Sequence, residues 1–330
     1  SLMGLGCIPN EAEGFLGMAG MHGSYAANMA IMECDLLIGI GVRFDDRVTG
    51  DLSSFAPRAK IVHFEVDPAE INKNVPVDYR VLGDLRWSLP VFRQKLQDSV
   101  EDYKARYSMW RQYTLAMSDE KPFTYKKDTG CIMPQQLVEA VSGLMDADTI
   151  VVTDVGQHQM WAAQFYNCRQ PRQFLTSGGL GTMGYGLPAA LGAKLGQPKK
   201  KVVLFTGDGS IMMNCQEFAT LADYDIDVKV VVMHNHVLGM VTQWQRMFYG
   251  KRYSQTLLNG HTDFVKLAEA MGVSGYRINE PAELMPVLEK AFAAKGPALI
   301  DCMLPETEDV LPMVSPGDRL DHMVLGGNAE

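Results

Sequence analysis

Four short runs of β-branched and aliphatic residues dominate the second half of the chain, and each stops abruptly at polar or glycine-containing sequence. They are Thr149-Ile150-Val151-Val152-Thr153, Val202-Val203-Leu204-Phe205-Thr206, Val228-Lys229-Val230-Val231-Val232-Met233 and Ala298-Leu299-Ile300-Asp301-Cys302. Runs of this length without strict alternation suit strands buried on both faces. Helical patterns lie between them, so strand and helix alternate. That order predicts α/β architecture, a parallel sheet flanked by helices. Ligands of such sheets gather where strands end, which makes the residues just after each run the ones to inspect.

The first half carries the same signals more weakly. Leu36-Leu37-Ile38-Gly39-Ile40 and Ile61-Val62-His63-Phe64-Glu65-Val66 read as buried parallel strands, with a helix from Ser24 to Cys34 and another from about Leu85 to Arg106. The 330 residues suggest roughly two domains, and composition places the joint: Met117 to Cys131 is rich in Lys, Asp, Thr and Gly and reads as a linker. The expected division is 1–116, linker 117–131, and 132–330, with Pro134 suited to open a helix.

Thirty Lys and Arg against 39 Asp and Glu give a net charge of −9, which argues against nucleic acid or an anionic membrane as partner. No apolar run reaches the ~18 residues of a membrane span. Six scattered cysteines form no C-x-x-C pair and read as reduced, mostly buried thiols, so the expected home is cytoplasmic. The opening Ser1-Leu2-Met3-Gly4-Leu5-Gly6 lacks a leader pattern and resembles the middle of a domain.

Three strand ends carry unusual chemistry: Asp154-Val155-Gly156-Gln157-His158, Gly207-Asp208-Gly209-Ser210 and His234-Asn235-His236-Val237. Between the first two lies a glycine-dense loop from Ser177 to Gly186. Asp208 offers a carboxylate between two glycines that let a ligand approach closely. Asn235 offers an amide oxygen 27 residues later, at the end of the next strand. One carboxylate with neutral oxygens is a poor set for zinc and a reasonable one for Mg²⁺ shared with substrate phosphates, which the backbone N–H groups of Gly209 and Ser210 would face. Alone, an Asp-Gly after a strand is ordinarily a turn. Two such donors at adjacent strand ends, beside a glycine-rich loop, are far more specific.

With these motifs the chain resembles the thiamine-diphosphate enzymes, whose signature is Gly-Asp-Gly followed about 27 residues later by Asn. Within them it is most similar to the acetohydroxyacid synthase (acetolactate synthase) catalytic subunits. The resemblance extends over Gly20-Met21-His22-Gly23, the segment Gly41 to Gly50, Val155 to Gln164, Gly239-Met240-Val241-Thr242-Gln243-Trp244 and Val310-Leu311-Pro312-Met313. It implies that Asp208 and Asn235 hold Mg²⁺ by side chains and Val237 by its carbonyl. Gln157, His158, Gly209 and Ser210 would contact the cofactor diphosphate, with Leu238 and Met240 also at the cofactor. Met183 would be the apolar wedge that bends the cofactor, the carbonyl of Gly181 would accept from its amino group, and Trp244 would favour 2-oxobutanoate as second substrate. Without the resemblance, Met183 reads as core filling and Trp244 as packing under a loop. It also makes residues 1–116 the remainder of a central FAD-binding domain, with His22, Gly23, Arg43, Glu65 and Asp84 lining the dinucleotide. The flavin would be structural, since the net reaction transfers no electrons. No Gly-x-Gly-x-x-Gly fingerprint supports this from the residues themselves.

Further implications are pyruvate and 2-oxobutanoate as substrates, a homodimer or tetramer with the site between subunits, and a small regulatory subunit. Two departures stand out. The family usually has Asn-Asn where this chain has His234-Asn235. Nothing matches the family's amino-terminal domain, which supplies a glutamate to the cofactor's aminopyrimidine ring, so the chain alone is expected to be inactive. A related decarboxylase, carboligase or oxidase, or a non-catalytic cofactor-binding fragment, are the alternatives.

Overall fold

The computed structural model describes residues 1–326. They divide into two compact units: Glu13–Thr124 with the segment from Leu311 onward, and Leu2–Ala12 with Tyr125–Val310.

In the first unit, α1 (Tyr25–Glu33) is capped by Ser24, whose hydroxyl accepts from the Ala27 N–H at 3.1 Å. Strands β1 (Leu36–Ile40), β2 (Lys60–Glu65) and β3 (Tyr79–Leu82) form a parallel sheet in that order, with the short helix α2 (Asp46–Thr49) after β1. Gly39 interrupts β1 for a packing reason: a Cβ there would come within 2.6 Å of the Phe44 ring. Phe44 joins Met32, Phe55, Ile61 and Val75 in the core. The burial expected of β1 fails on one face, because Leu36, Ile38 and Ile40 are 45, 39 and 46% exposed. Alternate residues of a strand face opposite sides, and only the Leu37–Gly39 side is covered by this unit. The helix expected from Leu85 to Arg106 is two, α3 (Leu85–Leu96) and α4 (Val100–Arg106), separated by a 3₁₀ turn.

Two boundaries also move. Helix α5 (Ser108–Glu120) runs into the expected linker, because Thr114 and Met117 are buried on one helical face despite polar neighbours. The carboxyl-terminal segment, expected with the second domain, packs in the first unit. There β10 (Met313–Val314) pairs with β11 (Met323–Val324), the Val314 N–H donates to Met21 O at 2.8 Å, and Val314 and Leu320 enter the core.

The second unit opens its α/β alternation at α6 (Pro134–Leu144), with Pro134 in the first turn as expected. There follow β4 (Ile150–Thr153), α7 (Gln157–Phe165), β5 (Phe174–Leu175), α8 (Gly186–Gly196), β6 (Val202–Gly207), α9 (Asp208–Ile211), α10 (Glu217–Asp223), β7 (Lys229–His234), α11 (Gly239–Phe248), α12 (Phe264–Ala270), β8 (Ser274–Ile278), α13 (Leu284–Ala293) and β9 (Ala298–Met303). All six strands are parallel, in the order β5-β4-β6-β7-β9-β8. Every residue of β4, β6 and β7 is buried, as their continuous apolar runs require. From β4 the chain moves outward to β5, then returns to place β6 on the other side of β4. The strand order therefore reverses between β4 and β6, which opens a crevice at their carboxyl ends.

Candidate cofactor and metal site

That crevice is where the polar strand ends meet. Val155, Gly156 and His158, Gly207 to Ser210, Asn235, Val237 to Val241 and Met183 line one small cavity of about 70 Å³. Asp208 is buried, and its Oδ2 accepts from the His236 N–H at 2.7 Å. This bond ties the end of β6 to the turn after β7, so that Asp208, Asn235 and Val237 come together. Burial pushes the Asp208 carboxyl up from its ordinary range, against the opposing pull of His234 and the backbone donors. A buried carboxylate so destabilised is relieved by a cation.

The histidine at this site is set by glycine. A Cβ on Gly156 would lie 2.6 Å from the His158 ring, and one on Gly207 2.9 Å from it. His158 is buried, and burial lowers its pKa to about 3 while the Asp154 carbonyl opposes that fall as a backbone hydrogen-bond partner. Its Nε2 has no protein partner. Once it carries a hydrogen, such a buried nitrogen at a cavity can donate to an oxygen-rich ligand such as a diphosphate. The donor set and this open nitrogen fit a magnesium–diphosphate group. The cavity is below the ~300 Å³ of ordinary small-molecule pockets, so it holds a part of a cofactor and the rest extends beyond it.

The remaining expected residues divide. Leu238, Met240 and Met183 line the cavity, whereas Gly181 does not; Gly181 sits in an exposed turn at φ +65° beside Leu180, which is 95% exposed. Both amide hydrogens of Gln157 are committed, to Gln243 Oε1 at 2.9 Å and Glu308 O at 3.0 Å, and its oxygen accepts from Asn235 at 3.3 Å. The Ser210 hydroxyl turns back onto Gly207 and Thr206. For these two residues, contact with a diphosphate falls to the backbone. Trp244 stands one turn along α11 from Met240, and both line an adjoining cavity of about 410 Å³ with Val241, Gln245, Tyr249 and Arg252. Trp244 is therefore half-buried at a cavity wall rather than packed under a loop.

Several working residues carried little signal. Asp154 holds the glycine-rich loop: its Oδ1 accepts from Val155 and Gly184 N–H, and its Oδ2 from Gly186 N–H at 3.1 Å. Burial raises its pKa while these bonds lower it. Its place at the first of the three polar strand ends was its one signal, and its role in holding the loop was not readable from it. Gln243, wholly buried, exchanges hydrogen bonds with Val310 N–H and C=O, and no local pattern announces that.

In the first unit the expected dinucleotide residues have local roles. Asp84 caps α3 and pairs with Arg86 at 2.6 Å, and Arg43 pairs with Asp45 at 2.7 Å. Glu65 Oε1 accepts from Val66 and Asp67 N–H. A Cβ on Gly23 would strike Met18 O at 2.6 Å, so this glycine serves a tight turn. His22 is buried, and burial followed by Arg47 lowers its pKa to about 4. Local partners or packing account for Asp84, Arg43, Glu65 and Gly23 without a ligand, so their arrangement does not by itself indicate a flavin. The cysteines are all free, but only Cys168 and Cys302 are buried, fewer than expected. No helix among the described residues is long and apolar enough to cross a membrane.

Comparison with known proteins gives the family. Residues 154–302 match the family described as "Thiamine pyrophosphate enzyme, C-terminal TPP binding domain", and residues 1–92 match "Thiamine pyrophosphate enzyme, central domain". The chain belongs to the thiamine pyrophosphate enzymes. Within them it is similar to acetolactate synthase large subunits: 48% identical to that of Parasynechococcus marenigrum, 45% to that of Haemophilus influenzae and 44% to the isozyme 2 large subunit of Escherichia coli. Each match covers 98% of this chain and 52, 57 and 58% of the respective relative. The chain thus spans a little over half the length of these relatives.

Proposed function

We propose that this chain carries the diphosphate- and metal-binding half of an acetolactate synthase catalytic site. The reaction would decarboxylate pyruvate and join the two-carbon unit to pyruvate or 2-oxobutanoate, giving 2-acetolactate or 2-aceto-2-hydroxybutanoate for branched-chain amino acids. The observation that carries this reading is the His236 N–H on Asp208 Oδ2, which ties the end of β6 to the turn after β7, with Asp208, Asn235 and Val237 lining one cavity. These three would hold Mg²⁺. Thiamine diphosphate, when bound, supplies the nucleophilic carbon and the electron sink.

The chain's own residues anchor, orient and exclude water. Asp208 offers charge to the metal, and His158 Nε2 faces the diphosphate oxygens. Met183 and Leu238 supply an apolar wall that keeps water from the reacting end. Trp244, at the wall of the adjoining cavity, would contact the extra methylene of 2-oxobutanoate, a discrimination of roughly 1–3 kcal/mol. The central unit would take FAD; this rests on the resemblance alone, and flavin fluorescence on titration tests it. Assembly as a homodimer or tetramer, a small regulatory subunit and a cytoplasmic location complete the proposal, with the "large subunit" of the relatives' names supporting the regulatory partner.

Calorimetric titration of thiamine diphosphate, with Mg²⁺ and then with a chelator, tests the site. Binding should need Mg²⁺ and weaken at least tenfold in Asp208→Asn and in Asn235→Ala. Unchanged binding in both variants removes the reading. Acetolactate assays on the 330-residue chain alone should give negligible turnover, because the residue that polarises the aminopyrimidine ring is expected from outside it. Robust turnover refutes that expectation and leaves the site assignment standing.

A further inference from the structure

His234 and His236, on either side of Asn235, bring two imidazole rings to the edge of the magnesium site. The ring nitrogens His234 Nε2 and His236 Nδ1 are 3.1 Å apart, and His234 Nε2 is 3.7 Å from Asp208 Oδ2. One nitrogen or oxygen from each of these three residues falls within 4.8 Å of the others. Zinc-type ions sit about 2.0–2.2 Å from nitrogen and oxygen ligands, so the donor atoms around a tetrahedral ion are separated by roughly 3.3–3.5 Å. Two of the three separations, 3.1 and 3.7 Å, already stand near that spacing.

The supporting contacts point the same way. The other nitrogen of His234, Nδ1, is 2.8 Å from Asp301 Oδ1, and Asp301 is wholly buried. Asp301 Oδ2 in turn accepts from Arg277 Nε and Nη2 at 3.2 and 3.1 Å. A buried carboxylate on the far nitrogen fixes a histidine with its near nitrogen presented as a lone pair, the arrangement found behind metal-bound histidines. Phe264 packs edge-on to the His234 ring at 5.1 Å and holds its plane. His236 is half-buried at φ +59°, so its ring has access to solvent. A Cβ on Gly260 would come within 3.0 Å of this ring.

The geometry points to a second cation site, His234 Nε2, His236 Nδ1 and Asp208 Oδ2, selective for a borderline divalent ion of the zinc or cobalt class. Two imidazoles are unsuited to Mg²⁺, which takes oxygen. Binding needs no redox step. The hydrogen between the two rings leaves, or moves to His236 Nε2, and each ring donates a lone pair. A fourth position stays open for water. Since Asp208 would serve both sites, the two ions compete for its carboxylate, and an occupied nitrogen site would oppose magnesium-dependent cofactor binding. The competition rests on the proposed magnesium role of Asp208; the nitrogen site itself does not.

The test uses the whole chain, stripped with a chelator and checked by circular dichroism, with Co²⁺ as probe. One Co²⁺ per chain should bind with a visible d–d band. His234→Asn, which restores the residue usual in the resembling family, and His236→Gln should each weaken Co²⁺ at least tenfold and abolish the band. Asp301→Asn should weaken it about 10–100-fold. Stoichiometric Zn²⁺ should then block Mg²⁺-thiamine diphosphate binding, followed by calorimetry, in the wild type but not in His234→Asn. No Co²⁺ binding, or binding that neither histidine variant changes, overturns the site. Co²⁺ binding as expected without any Mg²⁺-thiamine diphosphate binding leaves the nitrogen site standing and removes the magnesium reading instead.

Discussion

At the scale of single residues, His158 concentrates the physics of the site. Its folded pKa of about 3 lies below the ordinary 6.5, so between these values the unfolded chain binds the proton that the folded chain refuses. Stability supplied by the neutral ring is complete above pH 6.5 and is lost as pH falls from 6.5 toward 3. Between pH 7 and pH 5 this single group should cost about 2 kcal/mol. Urea unfolding at the two pH values should therefore show a smaller loss for His158→Gln than for the wild type. His22, at about 4, adds a loss of the same sign in the first unit. A bound diphosphate reverses the preference, because Nε2 then needs a hydrogen to donate. Ligand binding near pH 7 should take up a proton, measured as a binding enthalpy that varies with the buffer's own ionisation heat. Gly239 is a second sensitive position: a Cβ there would stand 2.0 Å from Gln157 Oε1. Gly239→Ala should break the Gln157–Gln243 clasp and weaken cofactor binding at least tenfold, read by the same calorimetry.

At the scale of elements, the glycine-rich loop depends on one carboxylate. Asp154 receives three backbone N–H groups, and hydrogen bonds to a charged group are worth about 1.5–3 kcal/mol each before non-additivity. Asp154→Ala should destabilise the second unit by about 2–4 kcal/mol and speed hydrogen exchange at the Gly184 and Gly186 amides. The strands that frame this loop were legible in the sequence because β4, β6, β7 and β9 are buried on both faces and so are almost purely apolar. β5 and β8 were not legible. Phe174–Leu175 is too short for a pattern, and Ser-Gly-Tyr-Arg-Ile is a half-exposed edge whose polar residues hide it. For the site, residues that end strands stood out, Asp208 and Asn235 above all. Those acting through distant partners did not: Gln157 meets Glu308 across 151 positions and His234 meets Asp301 across 67, and such pairings exist only after folding.

At the scale of the whole molecule, the order of the chain and the order of its units disagree. Residues 2–12 belong with the second unit, and residues from 311 onward with the first. Composition suggests a joint over 117–131 but could not reveal this exchange, since Val314 and Leu320 look like any short apolar stretch until they are found at 1% exposure. A piece ending at Thr124 forfeits both side chains from its interior, each worth about 1.5–3 kcal/mol of burial. Expressed alone, residues 13–124 should melt at a lower temperature than the first unit does within the intact chain. Adding a synthetic 311–326 peptide should raise that melting point. Two half-genes split at the apparent seam would therefore each encode an incomplete body: the amino-terminal product would be missing its last hairpin, and the carboxyl-terminal product would carry that hairpin as an orphan.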